Sequence, residues 1–299
     1  MHKPKPIRAA LILFLFALPS WGAPSVLATI KPIHSLAAGV MQGVGEPVLL
    51  IGGALSEHSY ELKPSDARKL QSADVVFEIG PDMETYLTGP LKALGGGTIV
   101  ALEYAPGVRL YPARHGGLWG EEDEHGPTDP HIWLDPRNAI AMTRAIAAAL
   151  VKRDPAHAAV YRANVARQIV LLEALDRELA AKFVPLRDRP YIVFHDAYRY
   201  LEERYGLHSV GAVTVAPDRP VGTRRVATLR EAAASGRAIC LFREPQFPPK
   251  LIEALVAGTK ARVGVLDPLG ADLTPGPGLY PRLLRDLAQS LTDCLGKKN

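Results

Sequence analysis

Short apolar runs alternate with helical patterns along most of this chain, and that alternation is what most limits its fold. The runs have four to six residues and are rich in Val and Ile, as expected of buried strands. Strands that alternate with helices favour βαβ units and a largely parallel sheet. The predicted strands are 26–30, 48–51, 75–79, 98–102, 191–194, 210–215, 238–242 and 263–266, and the predicted helices include 34–43, 65–72, 136–152 and 281–295.

The longest helical pattern lies between the two sets of strands. Asp154 precedes Pro155, a common pair for an N-cap and a first helical residue, and apolar residues then recur at helical spacing as far as Phe183. Twenty-nine residues at about 1.5 Å each give a helix of roughly 43 Å, long enough to join two lobes. We therefore predict an α/β fold with two Rossmann-like lobes of mostly parallel sheet and a connecting helix. The predicted boundaries are 24–152, 153–184 and 185–299.

The N-terminus predicts export. Lys3, Lys5 and Arg8 precede the apolar run 9–18, which is too short to span a bilayer, and small residues follow it. This arrangement is typical of a cleaved secretory signal peptide over 1–23, so we expect a soluble periplasmic protein. The whole chain has a net charge of +4. Removal of the signal peptide with its three basic residues would leave a net charge of about +1. Such a charge gives no sign of a nucleic-acid-binding surface.

The two cysteines of the chain are Cys240 and Cys294. In an exported protein, an even pair predicts a disulfide. The closed loop would be long, so the chain-entropy model gives about 4 kcal/mol of stabilisation. A thiolate metal site is the weaker alternative, because two isolated cysteines lack a Cys-x-x-Cys spacing.

Three histidines with distinctive neighbours are candidate metal ligands. His58, His131 and His195 lie 73 and 64 residues apart, so only a folded scaffold could bring them together. His195 and Asp267 each follow a predicted strand directly, and open α/β sheets bind ligands at the carboxyl ends of their strands. Glu57 precedes His58 in the loop after another predicted strand. Imidazole nitrogen together with carboxylate oxygen suits zinc.

Six short motifs resemble those of the periplasmic zinc-binding proteins of bacterial zinc ABC transporters, within the larger zinc/manganese solute-binding family. They occur in order and cover essentially the whole mature chain. The motifs are ATIKPIHS at 28–35, EHSY at 57–60 with LKPSD at 62–66, DPHIW at 129–133, FHDAY at 194–198, EPQF at 244–247 and LDPLG at 266–270.

The resemblance implies two lobes joined by a long helix, Zn²⁺ between them, and delivery to an inner-membrane ABC permease. The ligands of the family carry over to His58, His131 and His195. Imidazole at His195, where manganese-type relatives generally have a carboxylate, favours zinc. Glu57, Asp267 and water compete for the fourth position, and Asp267 could instead accept a ring N–H.

Several alternatives stay open at this point. A manganese or iron binder of the same family is one, and an exported zinc hydrolase with Glu57 as its base is another. The chain lacks His-Glu-x-x-His and Gly-x-Ser-x-Gly, so we expect no enzyme, and we expect a monomer. The short acidic loop 115–128, with His115 and His125, either captures zinc weakly or is solvated. His34 is a weaker ligand candidate.

Overall fold

The structure, a computed structural model, describes residues 22–56, 58, 60–94, 96–119, 128–214 and 221–297. Within these ranges the chain forms two four-stranded sheets, and every strand pairing is parallel. The first sheet contains β1 (Val26–Ala28), β2 (Val48–Leu49), β3 (Val75–Glu78) and β4 (Thr98–Ala101) in the order β2-β1-β3-β4. The second contains β5 (Tyr191–His195), β6 (Ser209–Thr214), β7 (Cys240–Arg243) and β8 (Arg262–Val265) in the order β6-β5-β7-β8.

Helices connect these strands, as parallel pairing requires. Each sheet with its helices forms a lobe, which we call the N-lobe and the C-lobe, so the predicted α/β class with two lobes is confirmed. The helices are α1 (Lys31–Met41), α2 (Pro64–Ser72), α3 (Thr88–Leu94), α4 (Pro136–Arg153), α5 (Ala158–Phe183), α6 (Arg199–Tyr205), α7 (Thr223–Ala234), α8 (Lys250–Val256) and α9 (Leu279–Leu295).

The predicted strands are all present, with ends that differ by one or two residues. β1 stops at Ala28 because Ile30 is already the N-cap of α1, whose first turn contains Pro32. β5 runs one residue further than predicted and includes His195. The inner strands β1, β3 and β5 are fully buried, because helices cover both faces of a parallel sheet.

The connecting helix is shorter than predicted. Residues 155–157 form a 3-10 turn, and α5 has 26 residues, or about 39 Å. Asp154 is the N-cap of the 3-10 turn and Pro155 its first residue, as predicted, and Asp154 Oδ2 accepts hydrogen bonds from His157 Nδ1 (2.7 Å) and Tyr161 OH (2.8 Å). Burial acts to raise the pKa of Asp154, but these bonds lower it below its ordinary value. α5 packs against α1 and α4 of the N-lobe and against α6 and α9 of the C-lobe.

The two lobes share one apolar core. Buried residues of a single cluster include Ile33 on α1, Leu179 on α5 and Leu284 on α9. The last helix therefore packs on the first one, and Tyr280 on α9 reaches across: its N–H donates to Ser35 Oγ (2.9 Å).

A buried ammonium also joins the lobes. Lys31 at the start of α1 is only 5% exposed, and its Nζ donates to the carbonyl oxygens of Gly270 (2.8 Å) and Leu273 (3.2 Å). Burial lowers the pKa of Lys31, while the carboxylates of Asp267 and Asp272 act in the opposite direction. The chain after β8 is thus held against the N-lobe by hydrogen bonds to a single side chain.

The predicted disulfide is confirmed. Cys240 at the start of β7 is bonded to Cys294 on α9, with 6.2 Å between the Cα atoms. The bond fixes the C-terminal helix to an inner strand of the C-lobe sheet. In the described part of the chain, every helix is too short or too polar to cross a membrane. The predicted signal peptide, apart from residues 22–23, lies outside the described residues, as do Glu57 and residues 120–127 of the acidic loop with His125.

Candidate metal centre

Three imidazoles from distant parts of the chain meet between the lobes. His58, His131 and His195 each offer one ring nitrogen, and these atoms all lie within 4.8 Å of one another. His131 Nε2 is 3.3 Å from His58 Nε2 and 3.2 Å from His195 Nε2. The structure therefore brings together the three histidines that the sequence singled out.

His131 is held by the residues on either side of it. It lies before a 3-10 turn, Ile132–Leu134, and is fully buried. Its backbone N–H donates to Asp129 Oδ1 (2.9 Å), and its ring Nδ1 is 2.8 Å from the same oxygen. The ring of Trp133 contacts the imidazole, with 5.3 Å between ring centroids. One carboxylate therefore fixes both the backbone and the ring of this candidate ligand.

His195 is held by a neighbouring strand. It is the last residue of β5, and its Nδ1 lies 2.8–2.9 Å from both carboxylate oxygens of Glu244, the residue that follows β7. Tyr198 OH donates to Glu244 Oε1 at 3.0 Å. Both His195 and Glu244 are almost completely buried, with side chains 1% exposed. Because β5 and β7 are paired in the sheet, the sheet itself sets the position of the imidazole against the carboxylate.

The two carboxylates determine which ring nitrogens carry protons. Because Nδ1 of His131 and Nδ1 of His195 each face a carboxylate oxygen, each neutral ring has its proton on Nδ1. Both Nε2 atoms then present lone pairs, and two lone pairs 3.2 Å apart repel unless a cation lies between them. With Zn–N bonds of about 2.0–2.1 Å, the ligand atoms of a tetrahedral site are about 3.3–3.4 Å apart. The observed spacing of the Nε2 atoms fits that geometry.

His58 lies on the loop between β2 and α2 and is half-buried. Its backbone N–H donates to Ser56 Oγ (3.2 Å). The loop is fixed again at Tyr60, whose hydroxyl donates to Asp66 Oδ2 (2.7 Å) in the first turn of α2. Burial, followed by the bond to Asp66, raises the pKa of Tyr60 to about 12, so its hydroxyl stays a donor.

Both carboxylate oxygens of Asp267 accept hydrogen bonds in the structure. Within the described residues, the group that could hold a metal contains the three histidines and not Asp267. Asp267 Oδ1 accepts from Gln246 Nε2 (2.9 Å) and from the backbone N–H groups of Leu269 and Gly270, and Oδ2 accepts from that of Ala271. The bonds from the backbone N–H groups stabilise the turn that follows Asp267. Glu57, its rival for the fourth position, lies outside the described residues.

Within the described residues, the group of side chains that could hold a metal does not include His34 either. Its ring Nε2 is 2.9 Å from the carbonyl oxygen of Pro47, so this nitrogen carries the proton and donates it. Burial lowers the pKa of His34, which keeps the ring neutral. Asp129 and Glu244 orient the ring nitrogens of two candidate ligands, and the sequence predicts no role for them beyond their place in two motifs. Their position beside a histidine or at the end of a predicted strand was the signal that could have identified them.

Two parallel α/β lobes with three imidazoles between them define a two-lobed metal-binding protein. The family model of ZnuA, the periplasmic component A of zinc-uptake complexes, matches residues 26–294. The high-affinity zinc uptake system protein ZnuA of Brucella suis biovar 1 (strain 1330) is 45% identical to this chain. The alignment covers 91% of this chain and 92% of that protein. The ZnuA protein of Paracoccus denitrificans (strain Pd 1222) is 36% identical over 99% of both chains. This chain belongs to the ZnuA family.

Solved structures agree with this assignment. A zinc-bound ZnuA deletion mutant superposes with a TM-score of 0.78 at 27% identity, over 93% of this chain and 100% of the other. The periplasmic zinc-binding protein TroA from Treponema pallidum superposes with a TM-score of 0.80 at 23% identity over 92% of this chain and 99% of its own, which supports the fold alone. Family membership confirms the prediction of a zinc-uptake component that acts in transport and not as an enzyme.

Proposed function

We propose that this chain captures one Zn²⁺ with His58, His131 and His195 and passes it to the inner-membrane permease of a zinc ABC transporter. The observation that carries the proposal is the pair of Nε2–Nε2 separations, 3.2 and 3.3 Å, which match the edges of a zinc tetrahedron. Three neutral imidazoles also favour zinc over manganese, which prefers oxygen ligands. Because binding needs neutral rings, we expect affinity to fall below about pH 6.5.

Calorimetry on the metal-free protein tests this proposal. We expect one tight Zn²⁺ site per chain and Mn²⁺ binding that is weaker by orders of magnitude. His131→Ala should weaken zinc binding more than a thousandfold, because it removes a central ligand. His208→Ala, at an exposed histidine, is the matched control and should bind like the unmodified protein. Tight zinc binding that survives in His131→Ala, or a preference for Mn²⁺, would contradict the proposal.

For the fourth position we propose Glu57 or a water molecule. Both oxygens of Asp267 already accept hydrogen bonds, so coordination would cost that turn its partners. Glu57→Gln should lower zinc affinity if the carboxylate coordinates and leave it unchanged if water does. Asp267→Asn should reduce the free energy of unfolding and change zinc affinity less than threefold. A large loss of affinity in Asp267→Asn alone would assign the fourth position to Asp267.

We further propose that residues 1–23 are removed on export and that the mature protein is a periplasmic monomer without affinity for nucleic acid. Three bases before a short apolar run support the first part. The proposed lobes are 24–152 and 185–299, with 153–184 as the connection. N-terminal sequencing of the protein from a periplasmic extract should give a first residue at 24, or at 23 if the cut follows Gly22. Light scattering should give the mass of one mature chain, and a dimer mass would contradict the monomer.

A further inference from the structure

A segment that follows the N-lobe sheet lies on the C-lobe. Residues 109–119 run outwards and residues 128–131 return, and we call these two arms the strap. At the far end of the outward arm, Leu118 packs on Gly211 of β6, the outer strand of the C-lobe sheet. A Cβ at Gly211 would lie 2.3 Å from Leu118 Cβ, so only glycine permits this contact. Arg225 donates to the carbonyl oxygens of Gly117 (3.3 Å) and Leu118 (2.5 Å).

The return arm carries His131 and is tied to the outward arm. Thr128 forms an antiparallel bridge with Pro112, and Asp129 N–H donates to the carbonyl oxygen of Tyr111 (2.9 Å). Tyr200 on α6 joins both arms: its hydroxyl donates to the carbonyl oxygen of Asp129 (2.6 Å) and accepts from Tyr111 N–H (3.1 Å). His131 therefore precedes α4 of the N-lobe in sequence and is held against the C-lobe in space.

Arg114 is the charged centre of the strap. Its Nε donates to both oxygens of Asp196 (3.1 and 3.0 Å), and Nη1 donates to Glu202 Oε2 (2.6 Å) and Ser209 Oγ (3.3 Å). The guanidinium also lies over the ring of Trp119, 3.7 Å from its centroid. Every one of these acidic and hydroxyl partners belongs to the C-lobe.

The environment keeps the Arg114 guanidinium charged. The side chains of Asp196 and Glu202 are 8% and 4% exposed. Burial alone would lower the pKa of Arg114, but the carboxylates of Glu202 and Asp196 raise it above its ordinary value. Loss of the guanidinium would leave two carboxylates buried without their cation, which is strongly unfavourable. Asp196 directly follows His195, so the disturbance would reach a candidate ligand through the backbone.

We propose that Arg114 is a positioning residue for metal binding. It fixes the strap to the end of β5. In this way it holds His131 Nε2 at a distance from His195 Nε2 that suits zinc coordination before the metal binds. This inference rests on the proposed function, because it assigns Arg114 a role at the same metal centre. A site assembled in advance binds more tightly than one that must be ordered by its ligand.

Arg204 provides a matched control. Its guanidinium forms a forked pair with Asp176 (2.9 and 2.5 Å) that joins α6 to α5. Its side chain is 18% exposed, against 17% for Arg114, although Arg204 pairs with one carboxylate and Arg114 with two, so we expect the larger loss of stability in the Arg114 variant. Only Arg114 contacts the residue next to a candidate ligand.

The test compares Arg114→Gln with Arg204→Gln. Zinc affinity and the zinc dissociation rate are measured by chelator competition, and the free energy of unfolding of the metal-free proteins by urea denaturation. We expect Arg114→Gln to weaken zinc binding roughly 10- to 100-fold, mainly through faster dissociation, as is typical for residues that orient ligands. Arg204→Gln should stay within twofold of the unmodified affinity. The visible spectrum of bound Co²⁺ should change in Arg114→Gln and remain the same in Arg204→Gln.

Arg114→Lys keeps the proposal testable if Arg114→Gln does not fold. Lysine retains the charge and loses the forked geometry, so we expect about tenfold weaker zinc binding. Unchanged affinity in Arg114→Lys or Arg114→Gln, or an equal loss in Arg204→Gln, would overturn the inference. If the unmodified protein binds no zinc, or His131→Ala still binds tightly, the proposed function itself fails. If the unmodified protein binds zinc tightly, His131→Ala does not, and the Arg114 variants bind like the unmodified protein, the proposed function stands without this inference.

Discussion

The two lobes have the same strand order and carry different chemistry at the ends of their strands. β1 and β3 occupy the places in the first sheet that β5 and β7 occupy in the second. In the C-lobe, β5 ends at His195 and Glu244 follows β7, so an imidazole meets a carboxylate at 2.8 Å. In the N-lobe, Thr29 follows β1 and Glu78 ends β3, and the candidate ligand His58 lies on a loop instead.

The N-lobe strand ends bring carboxyl groups together. Burial raises the pKa of Glu84 to about 8, although its Oε2 accepts from the backbone N–H groups of Ile79 (2.9 Å) and Gly80 (3.0 Å). Burial, followed by the nearby carboxylate of Glu103, raises the pKa of Glu78 to about 7. The inner strands therefore end at a carboxylate that orients an imidazole in the C-lobe, and in the N-lobe at acids whose pKa is raised mainly by burial.

The largest effect expected from this difference concerns the ligands themselves. His195→Ala should weaken zinc binding more than a thousandfold, because it removes a ligand and leaves Glu244 buried without its ring partner. His58→Ala should cost at least tenfold less, since a half-buried loop position admits water as a replacement ligand. Chelator competition measures both constants. Equal losses of zinc affinity in the two variants would contradict the expected difference between the lobes.

The second effect concerns the disulfide, which joins β7 to α9 in the C-lobe and has no counterpart in the N-lobe, since the chain has only two cysteines. Cys240→Ala/Cys294→Ala should reduce the free energy of unfolding by about 4 kcal/mol, because the bond closes a loop with a sequence separation of 54. Urea denaturation of the oxidised protein and the double variant measures the difference. The unmodified protein under reducing conditions is the control and should lose a similar amount. A change below 1 kcal/mol would contradict the expected restriction of the unfolded chain.

The third effect compares the two equivalent strand ends directly. Glu244→Gln should weaken zinc binding roughly 10- to 100-fold, because an amide orients the His195 ring less well than a carboxylate does. Glu78→Gln is the matched control and should change zinc affinity less than twofold. Calorimetry with Zn²⁺ measures both. A comparable loss in Glu78→Gln would mean that the N-lobe acids also act on the metal centre.

The smallest effect is a pH dependence of stability. An acid whose pKa is higher in the folded than in the unfolded protein holds its proton more tightly when folded. Between about pH 4.5 and 7 the free energy of unfolding of the metal-free protein should therefore fall as Glu78 loses its proton. Glu78→Gln should remove part of this slope and be more stable than the unmodified protein at pH 8, by about 1–2 kcal/mol. Urea denaturation at pH 5 and pH 8 checks this, and equal slopes would contradict it.

The fold was predictable from the sequence because its strands are short Val- and Ile-rich runs that alternate with helices. The histidines were predictable because each lies in a distinctive motif. The start of the connecting helix was less predictable, because residues 155–157 form a 3-10 turn in which the Asp154 carboxylate bonds to the side chains of His157 and Tyr161. No propensity scale distinguishes these donors, because all of them are close in sequence.

The supporting residues of the metal centre were not predictable from spacing. Arg114 contacts Asp196 across 82 positions, and the role we propose for it depends on the burial of the pair. The raised pKa of Glu84 is equally hard to predict from the sequence, since it results from complete burial. Both effects depend on which side chains are desolvated together, and that is a property of the packed molecule. A single sequence indicates residue types and order, and leaves burial of individual polar groups undetermined.

The packing of α9 on α1 has a consequence for how this protein is made. α1 is among the first helices to be synthesised, and part of its covering is supplied by residues 279–295 at the opposite end of the chain. Folding therefore cannot finish before residues 279–295 have left the ribosome. The N-lobe completes its apolar core only when the last helix of the chain becomes available.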